Sequence, residues 1–394
     1  MLHRRTIPLR LAALLLTLTP LKLMGGAFVL TQKYPIGVES RSVVIADVNG
    51  DGKPDLVFAD LYFSSAGVML GNGDGTFQPE VRFASGGQEV SGVAVADLNN
   101  DGKLDIVVAN SDTKTVGVLL GNGDGTFQPV QTYASGGAPL SILAADVNRD
   151  GKIDVIVSNS GNNGMVAVLL GNGDGTLRTP NFFGSGTALA IAVADVNGDG
   201  NPDLLVAEIG AAGVMLGNGD GTFKALVNYT AGSNRATSIT AADVNGDHKP
   251  DLLVTFGECG VGTSCAPGQV AVYLGNGDGT FKPFVEYATG AQNAVAIAAA
   301  DINHDGTVDL VVANLCALKS SSCTGAGVVS VLRGRGDGTF KTPQLFSSGG
   351  NGPVSVAVAD VNGDNKPDLV VINIRKSYFN SNNGIASVLL NNIP

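Results

Sequence analysis

Apolar residues in this chain come in short runs, and the runs recur. Residues 93–96 form one, entering a stretch rich in Asp and Asn; residues 105–110 leave it as D-I-V-V-A-N. Residues 116–120 follow, then a G-N-G-D-G turn, then residues 127–134. Short β-branched or aromatic runs bounded by Gly, Asn and Asp predict four strands with tight turns, labelled here A, B, C and D. An aspartate-rich nonapeptide joins A to B, and the glycine-rich turn joins C to D. Helical periodicity is absent beyond the first 26 residues.

The nonapeptide D-x-N-x-D-x-x-x-D occurs seven times, beginning at Asp47, Asp97, Asp146, Asp195, Asp243, Asp301 and Asp360, at intervals of 48 to 59 residues. Self-similarity on this period means one supersecondary unit stacked many times. Seven units of four antiparallel strands predict an all-β fold, a seven-bladed β-propeller. WD-type and kelch repeats share the length but not these motifs, and a parallel β-helix needs much shorter coils. The last repeat stops at Pro394, where its D strand should begin. Phe28, Tyr34 and Gly37 carry the same spacing as Phe77, Phe83 and Gly86 or Phe127, Tyr133 and Gly136. Residues 28–34 are therefore an orphan D strand, expected to complete blade seven and pair its otherwise open edges.

Composition changes the picture little. The net charge of −11 is mostly repeat inventory: 21 of the 35 acidic residues sit in the nonapeptides and six in the N-G-D-G turns. The other eight are scattered, and no basic stripe exists to neutralise phosphates, which excludes nucleic acid as a partner. Residues 1–26 read as a secretory signal peptide, with His3-Arg4-Arg5 and Arg10 before an apolar run at 11–18 and small residues at Gly25-Gly26-Ala27. Pro20 and Lys22 interrupt that run well short of the ~20 residues a membrane span needs. Cleavage near Ala27 would leave a mature chain of 27–394, secreted to an extracellular or periplasmic space, with no membrane span. In such a compartment, two close cysteine pairs predict disulfides Cys259–Cys265 and Cys316–Cys323. A zinc site built from all four lacks both finger spacing and a partnering His.

The nonapeptide also carries a metal-ligand pattern. Calcium takes six to eight oxygens, and alternate positions of a tight loop can all turn inward. The first copy offers Asp47, Asn49 and Asp51, the carbonyl of Lys53, and Asp55. The next three offer Asp97, Asn99, Asp101, Lys103 and Asp105; Asp146, Asn148, Asp150, Lys152 and Asp154; and Asp195, Asn197, Asp199, Asn201 and Asp203. The last three offer Asp243, Asn245, Asp247, Lys249 and Asp251; Asp301, Asn303, Asp305, Thr307 and Asp309; and Asp360, Asn362, Asp364, Lys366 and Asp368. The seventh-position residue in each acts through its carbonyl alone. Up to seven Ca²⁺ ions are expected. Gly at position six permits a sharp turn, and His248 and Asn365 replace it in copies five and seven. The alternative is a set of Asp/Asn turns needing no metal. Against it, carboxylates about 4–5 Å apart repel by ~3–4 kcal/mol per pair at an effective dielectric near 20.

The run S-V-A-V-A-D-V-N-G-D-x-K-P-D-L-V-V at residues 355–371, with its six counterparts, resembles the FG-GAP (VCBS-type) repeat family, whose best-known relative is the integrin α-subunit propeller. The resemblance covers residues 28–394. It implies a calcium-binding propeller that serves binding or adhesion, with a lectin-like, glycan-binding propeller as the runner-up. Integrin-type heterodimerisation is not implied, and a monomeric propeller is expected.

The G-N-G-D-G turns invite a metal too, but Asn-Gly and Asp-Gly are explained by the positive φ of a hairpin. In copy six the turn reads Arg335-Gly336-Asp337, the tripeptide that animal integrins bind; a cheap match inside a turn motif is drift. Histidine occurs only at His3, His248 and His304, so no Ser-His-Asp arrangement can be assembled. A non-enzymatic role is expected, with a polysaccharide hydrolase or lyase as the remaining alternative. The partner is expected to be an extracellular protein or glycan. The nonapeptides and glycine turns share one end of the blades, and variation gathers at the other. Tyr62, Phe63, Arg375, Tyr378 and Phe379 are expected to form its most contact-ready cluster.

Overall fold

The computed structural model of the protein describes residues 28–37, 39–160, 165–184, 186–257, 265–317, 326–374 and 384–393, with residues 231–234 described in backbone only. The segment read as a signal peptide lies outside them, as do Cys259, Cys323, Arg375, Tyr378 and Phe379.

All regular structure among the described residues is β-strand, and every ladder is antiparallel. The second repeat shows the unit: Val90–Ala96, Asp105–Asn110, Thr115–Leu119 and Gln131–Ala134 pair in that order as one sheet. The D strand is shorter than its apolar run. Phe127 makes a single bridge to Gly121, and Pro129, lacking an N–H, holds the ladder open until Gln131.

Four sheets have this four-strand form, and a nine-stranded sheet holds repeats four to six. The repeats merge there because the backbone stays extended from one into the next. Val227–Ala242 runs from the D position of repeat four into the A position of repeat five, and Val285–Ala300 makes the same passage from five to six. Asp203–Met215 carries the B and C positions of repeat four in one strand.

The chain's two ends meet. Phe28–Ile36 pairs antiparallel with Gly384–Asn391, from Phe28 opposite Asn391 to Ile36 opposite Gly384, so the orphan D strand takes the predicted place. The A positions form a closed cycle. Ser40–Ala46 packs on Val90–Ala96, which packs on Ala138–Ala145, then Ala190–Ala194, Val227–Ala242, Val285–Ala300, Pro353–Ala359, and back to Ser40–Ala46.

The core lies between sheets, since each sheet is apolar on both faces. Ala94, Val107 and Val118 of repeat two share a cluster with Ile142, Val155 and Leu169 of repeat three. Ile36, Val370 and Val388 share another with Leu56, Phe58 and Met69 of repeat one. Each fully buried aliphatic side chain contributes about 1.5–3 kcal/mol. Aromatic pairs stitch the outer edge. The D-strand ring of one repeat meets the Phe of the next repeat's glycine turn edge-on: Tyr34 on Phe77, Phe83 on Phe127, Phe183 on Phe223, Tyr229 on Phe281 and Tyr287 on Phe340, with centroids 4.9–5.9 Å apart. Such pairs add roughly 0.5–1.5 kcal/mol beyond burial.

Candidate functional site

Each nonapeptide is a loop closed on its own backbone. In the first, Asp47 Oδ1 accepts from the N–H of Gly50 at 2.8 Å and its Oδ2 from Gly52 at 2.7 Å. Asn49 Oδ1 accepts from Asp51 N–H at 3.0 Å, and Asp51 Oδ1 from Lys53 N–H at 3.0 Å. The bond from first-position carboxylate to sixth-position N–H recurs in all seven loops at 2.7–2.9 Å. Position six is left-handed throughout, and the two departures comply, His248 at φ 61° and Asn365 at φ 62°. Position four is left-handed as well, through Gly50, Asn100, Arg149, Gly198, Gly246, His304 and Gly363. Its glycines were the signal for this second kink, and sequence reasoning passed over it.

The ninth aspartate differs from the others. Asp55, Asp105, Asp154, Asp203, Asp251, Asp309 and Asp368 are each completely buried. One oxygen accepts from the second-position N–H of its loop at 2.8–3.3 Å. The other accepts, at 2.7–2.8 Å, from an N–H just past the C strand: Gly71, Gly121, Gly171, Gly217, Gly275, Gly334 or Asn391. This carboxylate clamps strand A, its loop and strand C together. Burial, opposed by the two N–H groups and reinforced by the first and fifth aspartates, pushes Asp154 and Asp368 up to about 6.

As a metal site the loop supplies hard oxygens only, the donor chemistry of calcium. The first and third positions are half-buried and the fifth exposed in the first copy, and each oxygen that accepts one N–H keeps a second lone pair. Among the described residues, however, no three Asp, Glu, His or Cys side chains converge as a metal-holding group. The ninth carboxylate, close enough to the first and fifth aspartates to feel their charge, also serves as an interior clamp.

The glycine turns are self-contained. Asp74 Oδ1 accepts from Thr76 N–H at 2.9 Å, and Asn72 N–H reaches Thr76 O at 2.9 Å. The same turn holds Arg335-Gly336-Asp337: Arg335 N–H bonds Thr339 O at 3.0 Å, and Asp337 is held by Thr339. These turns also lock neighbouring repeats, because Gly75 N–H donates to Val361 O at 3.0 Å and Gly338 N–H to Val244 O at 3.0 Å. Nonapeptides and turns thus share one end and are cemented there.

The opposite end exposes chemistry. Tyr62 is 74 % and Phe63 47 % exposed, their rings edge-on at 5.8 Å. The Arg82 guanidinium lies 4.1 Å over the Phe63 ring, forks onto Glu80 at 2.6 and 2.9 Å, and approaches Asp60 Oδ2 at 3.4 Å. Asp60 is buried, and desolvation lifts it to about 6. Cys265 and Cys316 are buried side by side with Leu315, and neither is a free thiol. The expected pairing partners lie outside the described residues.

A profile of the FG-GAP-like repeat matches residues 47–108, 97–157, 146–206, 195–254, 261–312 and 320–371. The chain belongs to the FG-GAP-like repeat family. No curated protein matches it. Solved structures do. An Agrocybe aegerita lectin that recognises non-reducing terminal N-acetylglucosamine is 23 % identical, with TM-score 0.54 over 79 % of this chain and 80 % of the lectin chain. Two structures of BBS1N in complex with ARL6DN, soaked with mercury and with lead, are each 13 % identical, with TM-scores of 0.61 and 0.60 over 93 % of this chain and 98 % of theirs. At these identities the likeness is one of fold. As an FG-GAP β-propeller scaffold, the chain has no helix, among the described residues, long and apolar enough to cross a membrane.

Proposed function

We propose that this FG-GAP protein is an exported, seven-bladed, calcium-binding propeller that serves as a monomeric binding or adhesion scaffold for an extracellular protein or glycan. The closed cycle of A strands and the pairing of Phe28–Ile36 with Gly384–Asn391 support seven blades. The observation that carries the binding role is the contrast between the two ends. One is occupied by repeated, self-bonded loops; the other presents exposed Tyr62 and Phe63, with the Arg82 guanidinium over the Phe63 ring. Calcium, where bound, would be held by the first, third, fifth and ninth side chains and the seventh carbonyl of each nonapeptide. It would neutralise carboxylates that otherwise repel. Export through residues 1–26 and disulfides Cys259–Cys265 and Cys316–Cys323 complete the reading. No catalytic role is assigned.

A lectin-like function is the second reading, favoured by the exposed aromatic pair and by a lectin among the fold relatives. Glycan-array binding by the mature chain, beside a pull-down from surface extracts in calcium, separates the two. Glycan binding without turnover selects the lectin. Release of sugar product would select an enzyme and overturn both.

A further inference from the structure

The cycle of A strands surrounds an open cavity of about 570 Å³ at the variable end, lined by Arg41, Ser91, Leu140, Leu189, Arg235 and Thr237 among others. Its walls are built by a recurring device. Six A strands carry a bulge near their upstream end: Val90 and Gly92 pair with adjacent partners and leave Ser91 over, and Pro139 and Ser141 leave Leu140. Thr237, Val295 and Val354 are left over in the same way, and Arg41 lies in the corresponding shift between Ser40 and Val43. A bulge re-aims its extra residue. Here every one of those residues lines the cavity.

The lining is chemically lopsided. Leu140, Leu189, Val295, Leu315, Val354 and Ile374 give it an apolar wall beside Ser91, Thr237 and Asn293, and among the described residues that line it the only charged groups are the guanidinium groups of Arg41 and Arg235. The hydroxyls are already committed, Ser91 Oγ donating to Pro139 O at 2.7 Å and Thr237 Oγ1 to Ala294 O at 2.8 Å. Arg41 has only a loose approach to exposed Glu39, at 4.0 Å, and Arg235 meets no carboxylate among the described residues. Arg41 belongs to repeat one and Arg235 to the start of repeat five, and both line the cavity.

We infer that this axial cavity is a binding site for a small organic carboxylate with an apolar body, its charge held by Arg41 and Arg235 and its chain laid against the leucine and valine wall. The volume falls in the ~300–1,000 Å³ range of small-molecule sites. Guanidinium groups match a carboxylate through paired N–H donors. The site needs no macromolecular partner, so it stands or falls separately from the adhesion reading.

Calorimetric titration of the mature chain with octanoate, and with 1-octanol as its uncharged counterpart, tests this. One octanoate per chain is expected, with octanol at least about tenfold weaker. Arg41→Gln and Arg235→Gln should each weaken octanoate roughly tenfold, the scale of a lost charge-assisted hydrogen bond, and leave octanol unchanged. Leu140→Trp, which fills the cavity without touching a charge, should abolish binding of both. Absence of octanoate binding, equal affinity for octanol, indifference to both arginine variants, or binding that survives Leu140→Trp would each overturn the assignment.

Discussion

The two ends of this propeller obey different rules. At the nonapeptide end, carboxylates and N–H groups answer one another in the same pattern seven times, and loss of the ninth carboxylate leaves buried N–H groups unpaired. At the other end, repeats depart from one another. Asn110 Nδ2 donates to Ser85 O and Asn159 Nδ2 to Ser135 O, both at 3.0 Å, tying each B strand to the preceding D strand; Asn373 does the same to Ser348 O at 2.9 Å. Repeat one puts Asp60 at this position, whose Oδ2 accepts no hydrogen bond, and repeat four puts Glu208. Uniformity marks where the fold is made, and departure marks where it can be spared for something else.

The contrast can be broken at several levels. Removing residues 28–36 should have the largest effect, because it opens two edges at the junction of first and last repeats. We expect aggregation on size-exclusion chromatography and a collapsed melting transition, whereas removing residues 1–26 should change neither. A monomeric, normally melting chain without the strand would show that closure is dispensable.

Calcium removal comes next. With Kd near ~0.1 mM and calcium near ~2 mM, linkage gives about 1.8 kcal/mol per occupied site, so excess chelator should lower the melting temperature markedly. An unchanged melt would mean the loops are held by their own N–H groups alone.

Within one loop, Asp105→Ala strands the buried N–H groups of Leu98 and Gly121 and should cost about 2–6 kcal/mol in urea titration. Asp124→Ala, in an exposed glycine turn, should cost far less. Equal losses would erase the distinction between clamp and turn.

Asp60 tests the variable end. Its folded pKa of about 6 lies above the ordinary 3.8, so the folded state binds the extra proton. The resulting stabilisation is full below pH 3.8 and is lost as pH rises through about 6. Asp60→Asn supplies the amide that Asn110 and Asn159 use. It should reduce the slope of urea midpoints from pH 4 to 7, leaving the share due to Asp154 and Asp368, and a slope unchanged from wild type would assign it wholly to other groups. Smallest for stability is Tyr62→Ala, expected within about 0.5 kcal/mol of wild type because the ring is exposed. It should nonetheless weaken binding to whatever partner the pull-down or array identifies; undiminished affinity would move the contact surface away from Tyr62.

Strand order and the role of the first strand were legible because short β-branched or aromatic runs bounded by Gly, Asn and Asp leave little else to form. The spacing of Phe28 and Tyr34 even placed that strand in phase. What the same spacing does physically, bringing one repeat's D-strand ring onto the next repeat's Phe, was not legible, since periodicity reports position along the chain and not contact across it. The clamping role of the ninth aspartate was hidden for a similar reason: its second partner, such as Gly71 N–H, lies 16 residues downstream of Asp55. The axial cavity depends on bulges, which shift register by one residue and leave no mark on composition.

The seam between the first and last strands sets when, during synthesis, the ring can close. Thr31 Oγ1 donates to Val388 O across 357 residues of chain. Strand Phe28–Ile36 is therefore among the earliest ordered segments to be made and among the last to find a partner. Until the final repeat arrives it waits as an open edge, and a polypeptide cut short leaves it waiting. Closure in this molecule therefore waits on residues 384–391.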